Sequence, residues 1–74
     1  MACLKPDGTL TETGRAALAA LRVHGSEDAA AQASGLPVYR VRMLARSLME
    51  EGLLERRDGR LVPTEFGEEK LKLS

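Results

Sequence analysis

Cysteine and aromatic residues are scarce in this chain of 74 residues, which has one cysteine, one tyrosine, one phenylalanine and no tryptophan. A single cysteine excludes an internal disulfide and a metal cluster built on thiolates. Small secreted domains usually depend on disulfides, so we expect a cytoplasmic protein. So few aromatic side chains in a chain this short also leave little material for a substrate pocket.

Long apolar runs are missing as well. The longest, residues 16–21, has six residues, whereas about 18 are needed to span a bilayer. Residues 1–5 have neither the charged start nor the apolar stretch of a signal peptide, so we expect no membrane association. With 43% hydrophobic and 30% charged residues, the composition is that of a folded protein. The length is enough for one domain only.

Catalytic and ligand-binding motifs are also missing. The sole histidine, His24, has no convincing Cys or Ser partner in the sequence, and there is no phosphate-binding loop or dinucleotide-binding glycine pattern. Cys3 and His24 are too few and too far apart to hold a metal. We therefore expect a protein that is not an enzyme and that takes no cofactor or small-molecule effector. His24 is interpreted as a helix-end residue and Cys3 as a residue without function in an N-terminal arm.

An excess of charge of one sign is absent too, since eleven basic and eleven acidic residues give a formal net charge of zero. The basic residues are nevertheless concentrated. Residues 37–60 have six arginines against four acids, and residues 37–49 have three arginines and no acid. Because arginine is suited to forked contacts with phosphate and guanine, we expect an anionic partner to bind there.

Capping residues predict three helices after an arm over residues 1–10. Thr11 is a candidate N-cap, and Gly25 would end the helix that follows it. Ser26 would cap a second, short, alanine-rich helix reaching about residue 33. Pro37 fits the first position of a third helix that runs to residue 51. Its core-facing side is predicted by helical spacing of apolar residues, namely Val41, Leu44, Ala45 and Leu48.

The period then changes to that of strands. Asp58-Gly59 is a strong hairpin signal between strands expected at 53–56 and 60–62, with Pro63 ending the second. Thr64 would cap a fourth helix, with Phe66 and Leu71 on its inner side. We therefore predict a mainly α-helical domain over residues 11–74 with a small β-hairpin.

A similar stretch occurs twice, at residues 7–18 and 58–71. Each has Asp-Gly, a leucine two positions after the glycine, then Thr-Glu-x-Gly and a further leucine. Recurrent turn and cap chemistry is our preferred explanation, ahead of a duplication.

Residues 26–54 have the spacing of a helix-turn-helix. The run GLLERRDGRLVPTEFG (52–67) resembles the wing of winged helix-turn-helix proteins, especially the MarR-like and PadR-like bacterial regulators, and LMEEGLL (48–54) is similar to the end of their recognition helix. The resemblance covers about residues 11–73. It implies a three-helix core, a wing over 53–63, a C-terminal helix and a recognition helix over 37–51. It also implies a small DNA-binding protein that regulates transcription.

On double-stranded DNA, the third helix would enter the major groove and the hairpin arginines would reach flanking phosphates or the minor groove. Arg42 and Arg46 lie one turn apart and would contact a guanine edge or adjacent phosphates. One domain reaches only a half-site, so a homodimer or a protein partner is expected. The predicted DNA-binding residues are Tyr39, Arg40, Arg42, Met43, Arg46, Arg56, Arg57 and Arg60.

Plainer interpretations stay open. The arginines of the third helix could be a solvated face, and those of the hairpin could be edge charges that prevent sheet association. The alternative function is a winged-helix module for protein–protein contact without DNA binding, favoured by the neutral charge and small size. A continuous positive surface from Arg42 to Arg60 would favour DNA. An exposed apolar patch, or a surface interrupted by Glu50 and Glu55, would favour a protein partner.

Overall fold

The computed structural model describes residues 4–73, which form four helices and one two-stranded antiparallel hairpin. The elements in chain order are α1 (Glu12–His24), α2 (Glu27–Ser34), α3 (Val38–Glu50), β1 (Leu54–Arg57), β2 (Arg60–Pro63) and α4 (Glu65–Leu73). The prediction of a mainly helical chain with a small hairpin is confirmed at this level, and Cys3 lies outside the described residues. No helix between residues 4 and 73 is long and apolar enough to cross a membrane.

The predicted capping residues begin the first two helices and end the first. Thr11 Oγ1 accepts a hydrogen bond from Gly14 N at 3.1 Å, and Ser26 Oγ accepts one from Ala29 N at 3.2 Å. α1 ends at Gly25 in the left-handed conformation, with φ 72°. α3 starts one residue after Pro37 and ends one residue before the predicted limit at 51.

The core lies where α1, α2, α3 and the hairpin meet. The apolar side of α3 is buried as its spacing predicted, and small alanines of α2 are buried against α1. The buried apolar residues are Leu10, Ala17, Leu18, Leu21, Ala30, Ala31, Val41, Leu44, Ala45, Leu48, Leu53, Leu54 and Leu61.

Residues 4–10, expected as an arm, form a closed turn. Lys5 N donates to Thr9 O at 2.7 Å, and Leu4 pairs with Leu10 as an antiparallel bridge. Hydrogen bonds from the Thr9 hydroxyl and then from its amide lower the pKa of the Asp7 carboxyl below its ordinary value. Leu10 is only 2% exposed, so the core begins before the first helix.

The hairpin turns at Asp58 and Gly59, both with positive φ (49° and 80°), which matches the right-handed twist of the strands. Its register pairs Leu54 with Pro63, Glu55 with Val62, Arg56 with Leu61 and Arg57 with Arg60. Leu61 N also donates to Gly25 O at 3.0 Å. That bond fixes β2 to the turn between α1 and α2, so the hairpin is held against the helices.

α4 packs through its glycine. Thr64 Oγ1 accepts from Gly67 N at 3.1 Å and donates to Gly52 O at 2.6 Å. A Cβ added at Gly67 would overlap the Leu53 carbonyl oxygen, so the backbone itself makes this contact. Because Gly67 occupies the inner side, Phe66 is turned outward: it is 43% exposed, and its predicted inner position is wrong.

Candidate nucleic-acid interface

The side of α3 that faces away from the core carries four of the predicted site residues. Tyr39 and Met43 are 65% and 53% exposed, and Arg42 and Arg46 are exposed as well. Neighbours on this side lie about one helical turn apart, so they form a stripe. The residues that line a shallow depression of about 280 Å³ along it are Arg42, Met43, Arg46, Ser47 and Glu50, here called the α3 groove.

Arg40, also predicted in the site, lies on the flank of α3. The residue is half-buried, and its Nε is buried without a hydrogen-bond partner among the described residues. Arg40 follows Tyr39 by about 100° around the helix axis, toward the core-facing side. It therefore does not share the outer stripe with Arg42 and Arg46.

A second concave surface, of about 160 Å³, lies between α3, the hairpin and the start of α2. Arg42 enters it from α3 and Arg56 from β1. The residues that line it are Gly25, Ser26, Glu27, Asp28, Arg42, Arg56, Gly59 and Leu61, here called the arginine cleft. Because Arg42 lines both the cleft and the α3 groove, the two form one continuous surface.

The three hairpin arginines divide between two faces. Arg56 is paired with the buried Leu61, and strand alternation puts it on the core side, where it lines the cleft. Arg57 and Arg60 are paired with each other and lie on the opposite face. The Arg60 guanidinium nevertheless lies against Gly25, where an added Cβ would be 2.7 Å from its Cζ, so it borders the cleft.

Most of these arginines have no acidic partner. Within residues 4–73, only one arginine of the 37–60 segment has a carboxylate oxygen within 4.0 Å: Arg42, whose Nε is 4.0 Å from Glu27 Oε1. Arg22 of α1, by contrast, donates through Nε to both carboxylate oxygens of Glu68 at 2.8 and 3.1 Å and joins α1 to α4. The hydrogen-bonded ion pair between helices is therefore made elsewhere, and the exposed arginines of 37–60 are held by no hydrogen-bonded acid among the described residues.

The turn between α1 and α2 is the part of the site that sequence reasoning missed. Ser26 is predicted from the sequence only as a helix cap, but it lines the arginine cleft together with Glu27 and Asp28 of the first turn of α2. Fifteen positions separate Glu27 from Arg42, so no local pattern indicates their proximity. Three acids, Glu27, Asp28 and Glu50, line the cleft and the α3 groove, and Glu27 is the one with an oxygen within 4.0 Å of an arginine of the 37–60 segment among the described residues.

In the described part of the chain, no group of three or more His, Cys, Asp or Glu residues is placed to hold a metal ion. No protein-family model matches this chain, and neither a curated protein nor a solved structure matches it. What the surface binds is therefore inferred from its own shape and charge.

Proposed function

We propose that the chain is a winged helix-turn-helix protein that binds double-stranded DNA and regulates transcription. α2 and α3 are the helix-turn-helix, and the hairpin is the wing. The observation that carries the proposal is the arginine cleft, where Arg42 of α3 and Arg56 of the hairpin line one surface that continues onto the outer side of α3. A helix in the major groove with a wing on the neighbouring backbone needs cations in this arrangement.

The outer stripe of α3 suits the major groove in size and chemistry. The helix has 13 residues, so it is about 20 Å long. Arg42 and Arg46 offer forked donors to guanine edges or phosphates, and the Tyr39 hydroxyl can donate to a phosphate. Met43 supplies an exposed apolar contact for a thymine methyl group.

A single copy covers one half-site. The described chain measures 30 × 24 × 19 Å, which is less than the separation of about 34 Å between successive half-sites on one side of the duplex. Sequence-specific regulation would therefore require a homodimer or a protein partner on the adjacent half-site.

Fluorescence anisotropy with a random-sequence DNA duplex, measured across a salt series, tests the proposal. Binding should weaken steeply with salt, by about 0.9 in log–log slope for each phosphate contacted. The double variant Arg42→Ala/Arg46→Ala should lose at least about tenfold in affinity and make the slope shallower by at least about 0.9.

The matched control is Lys5→Ala/Lys72→Ala, which removes the same charge from outside the cleft and the groove and should change affinity far less. Flat anisotropy at low salt and high protein concentration would overturn DNA binding.

The exposed pair Tyr39 and Met43 favours one second candidate, a protein-binding module that uses the same side of α3. That function requires partner binding that is insensitive to Arg42→Ala/Arg46→Ala and is lost in Tyr39→Ser/Met43→Ser. Loss of DNA affinity in the arginine variant and retention of it in the lysine control would decide for DNA.

A further inference from the structure

Arg42 occupies the junction of the two concave surfaces, and it is the one arginine of the 37–60 segment for which the described residues provide an acid. Glu27, at the start of α2, places Oε1 4.0 Å from Arg42 Nε. Both residues line the arginine cleft, and their side chains are 29% and 61% exposed. The pair therefore lies on the surface that DNA phosphates would approach.

Glu27 and Arg42 do not have the geometry of a hydrogen-bonded ion pair that would hold two helices together. Arg22 and Glu68 are joined by two hydrogen bonds from one Nε, at 2.8 and 3.1 Å, whereas Glu27 and Arg42 are beyond hydrogen-bond distance. A loose, solvent-exposed ion pair adds little to stability. At 4 Å, however, a carboxylate still interacts with a guanidinium strongly enough to compete with a second anion for it.

We propose that Glu27 is an internal competitor for Arg42 that limits sequence-independent binding to DNA phosphates. This inference rests on the proposed DNA-binding function and concerns the regulation of affinity at that same site. A phosphate that reaches Arg42 lies close to the negative charge of the Glu27 carboxylate, which opposes its approach. Phosphates that contact Arg46 or Arg56 meet weaker competition, since neither arginine has a carboxylate within 4.0 Å among residues 4–73.

Asp28 provides a matched control in the same cleft. It is the next residue along, it stands in the same first turn of α2, and it has no basic group within 4.0 Å in the described chain. Asp28→Asn and Glu27→Gln each remove one negative charge and the same favourable interaction with the helix dipole. Any difference between them therefore measures proximity to Arg42.

The experiment is a double-mutant cycle on anisotropy with a random-sequence duplex over a salt series. Glu27→Gln, Asp28→Asn and Arg42→Ala are made singly, and each acid variant is combined with Arg42→Ala. Thermal unfolding followed by circular dichroism checks that all five variants are folded.

Glu27→Gln should tighten binding about threefold more than Asp28→Asn, the size expected for an exposed charge pair. Its salt dependence should be steeper by about 0.9, because Arg42 becomes available to one more phosphate. With Arg42→Ala, the two acid variants should have equal effects. If Glu27 acted only on the stability of α2, Glu27→Gln would change neither the salt dependence of DNA binding nor the coupling energy between Glu27 and Arg42 in the mutant cycle.

Two outcomes would overturn the inference, and they are distinguishable. If the wild-type protein binds DNA and Glu27→Gln and Asp28→Asn have equal effects that add to that of Arg42→Ala, then Glu27 does not compete for Arg42, and the DNA-binding function still stands. Absence of binding in every protein, including Glu27→Gln at low salt, would overturn the proposed function together with the inference.

Discussion

Two segments of the molecule share the order of an Asp-Gly turn, a buried leucine and a threonine-capped helix, and they differ in charge. In residues 4–18 and in residues 54–71, two paired stretches of chain meet at an Asp-Gly turn and lead into a helix capped by threonine. The leucine after each turn, Leu10 or Leu61, is 2% exposed. The recurring residues are those that the turn, the core and the cap require, so their repetition needs only folding as its cause.

The hairpin arginines have no counterparts at the first turn. Residues 54–63 carry Arg56, Arg57 and Arg60, whereas residues 4–10 have a single cation, Lys5. Arg57 and Arg60 stand directly opposite each other, where like charges destabilise a strand pair. The Arg57–Arg60 pair that distinguishes the second segment is thus unfavourable for folding, whereas the leucine and the threonine cap that the two segments share stabilise the fold.

The largest expected effect on stability comes from replacing the buried leucine that follows the turn in each segment. Leu10→Ala and Leu61→Ala should each lower the free energy of unfolding by about 3 kcal/mol, because each removes a fully packed side chain. In a domain of this size, that lowers the Tm by more than about 10 °C in a thermal melt. Leu73→Ala, at a residue 70% exposed, should change little. A negligible effect at Leu10 with a large one at Leu61 would break the equivalence of the two segments.

The two threonine caps, Thr11 and Thr64, should contribute differently to the free energy of unfolding. Thr64 makes two side-chain hydrogen bonds, to Gly67 N and to Gly52 O, whereas Thr11 makes one, to Gly14 N. Thr64→Ala should therefore lower the free energy of unfolding by about 2 kcal/mol and Thr11→Ala by about 1 kcal/mol. Urea unfolding of both variants measures the difference. Equal losses would mean that the bond to Gly52 adds nothing at the base of the hairpin.

The elements of the fold could be predicted because their signals are local. Caps at Thr11, Ser26 and Thr64, the turn at Asp58-Gly59 and the apolar spacing of α3 each act within a few residues. Capping chemistry and helical periodicity therefore placed four helices and one hairpin within one or two residues of their positions.

What could not be predicted depends on contacts between distant residues. The burial of Leu10 depends on the closed turn of residues 4–10 against the core, and the outward turn of Phe66 depends on the Leu53 carbonyl at Gly67. The stripe on α3 follows from helical periodicity. The arginine cleft, by contrast, forms only when the packing of α2 against α3 brings Glu27 close to Arg42. The half-buried flank position of Arg40 likewise appears only once α3 is packed.

The smallest expected effect on stability is the most informative about function. Arg57→Thr relieves the repulsion with Arg60 and adds a good strand former, so it should raise the free energy of unfolding by about 0.5 kcal/mol, or the Tm by about 2–4 °C. If the hairpin contacts DNA phosphates, the same variant should weaken duplex binding and lower the salt slope by about 0.9. Lys5→Thr, beside the corresponding turn of the first segment, should leave both quantities nearly unchanged. A variant at Arg57 that is less stable than the wild type would assign this arginine to the fold, and opposite changes in stability and DNA affinity would assign it to binding.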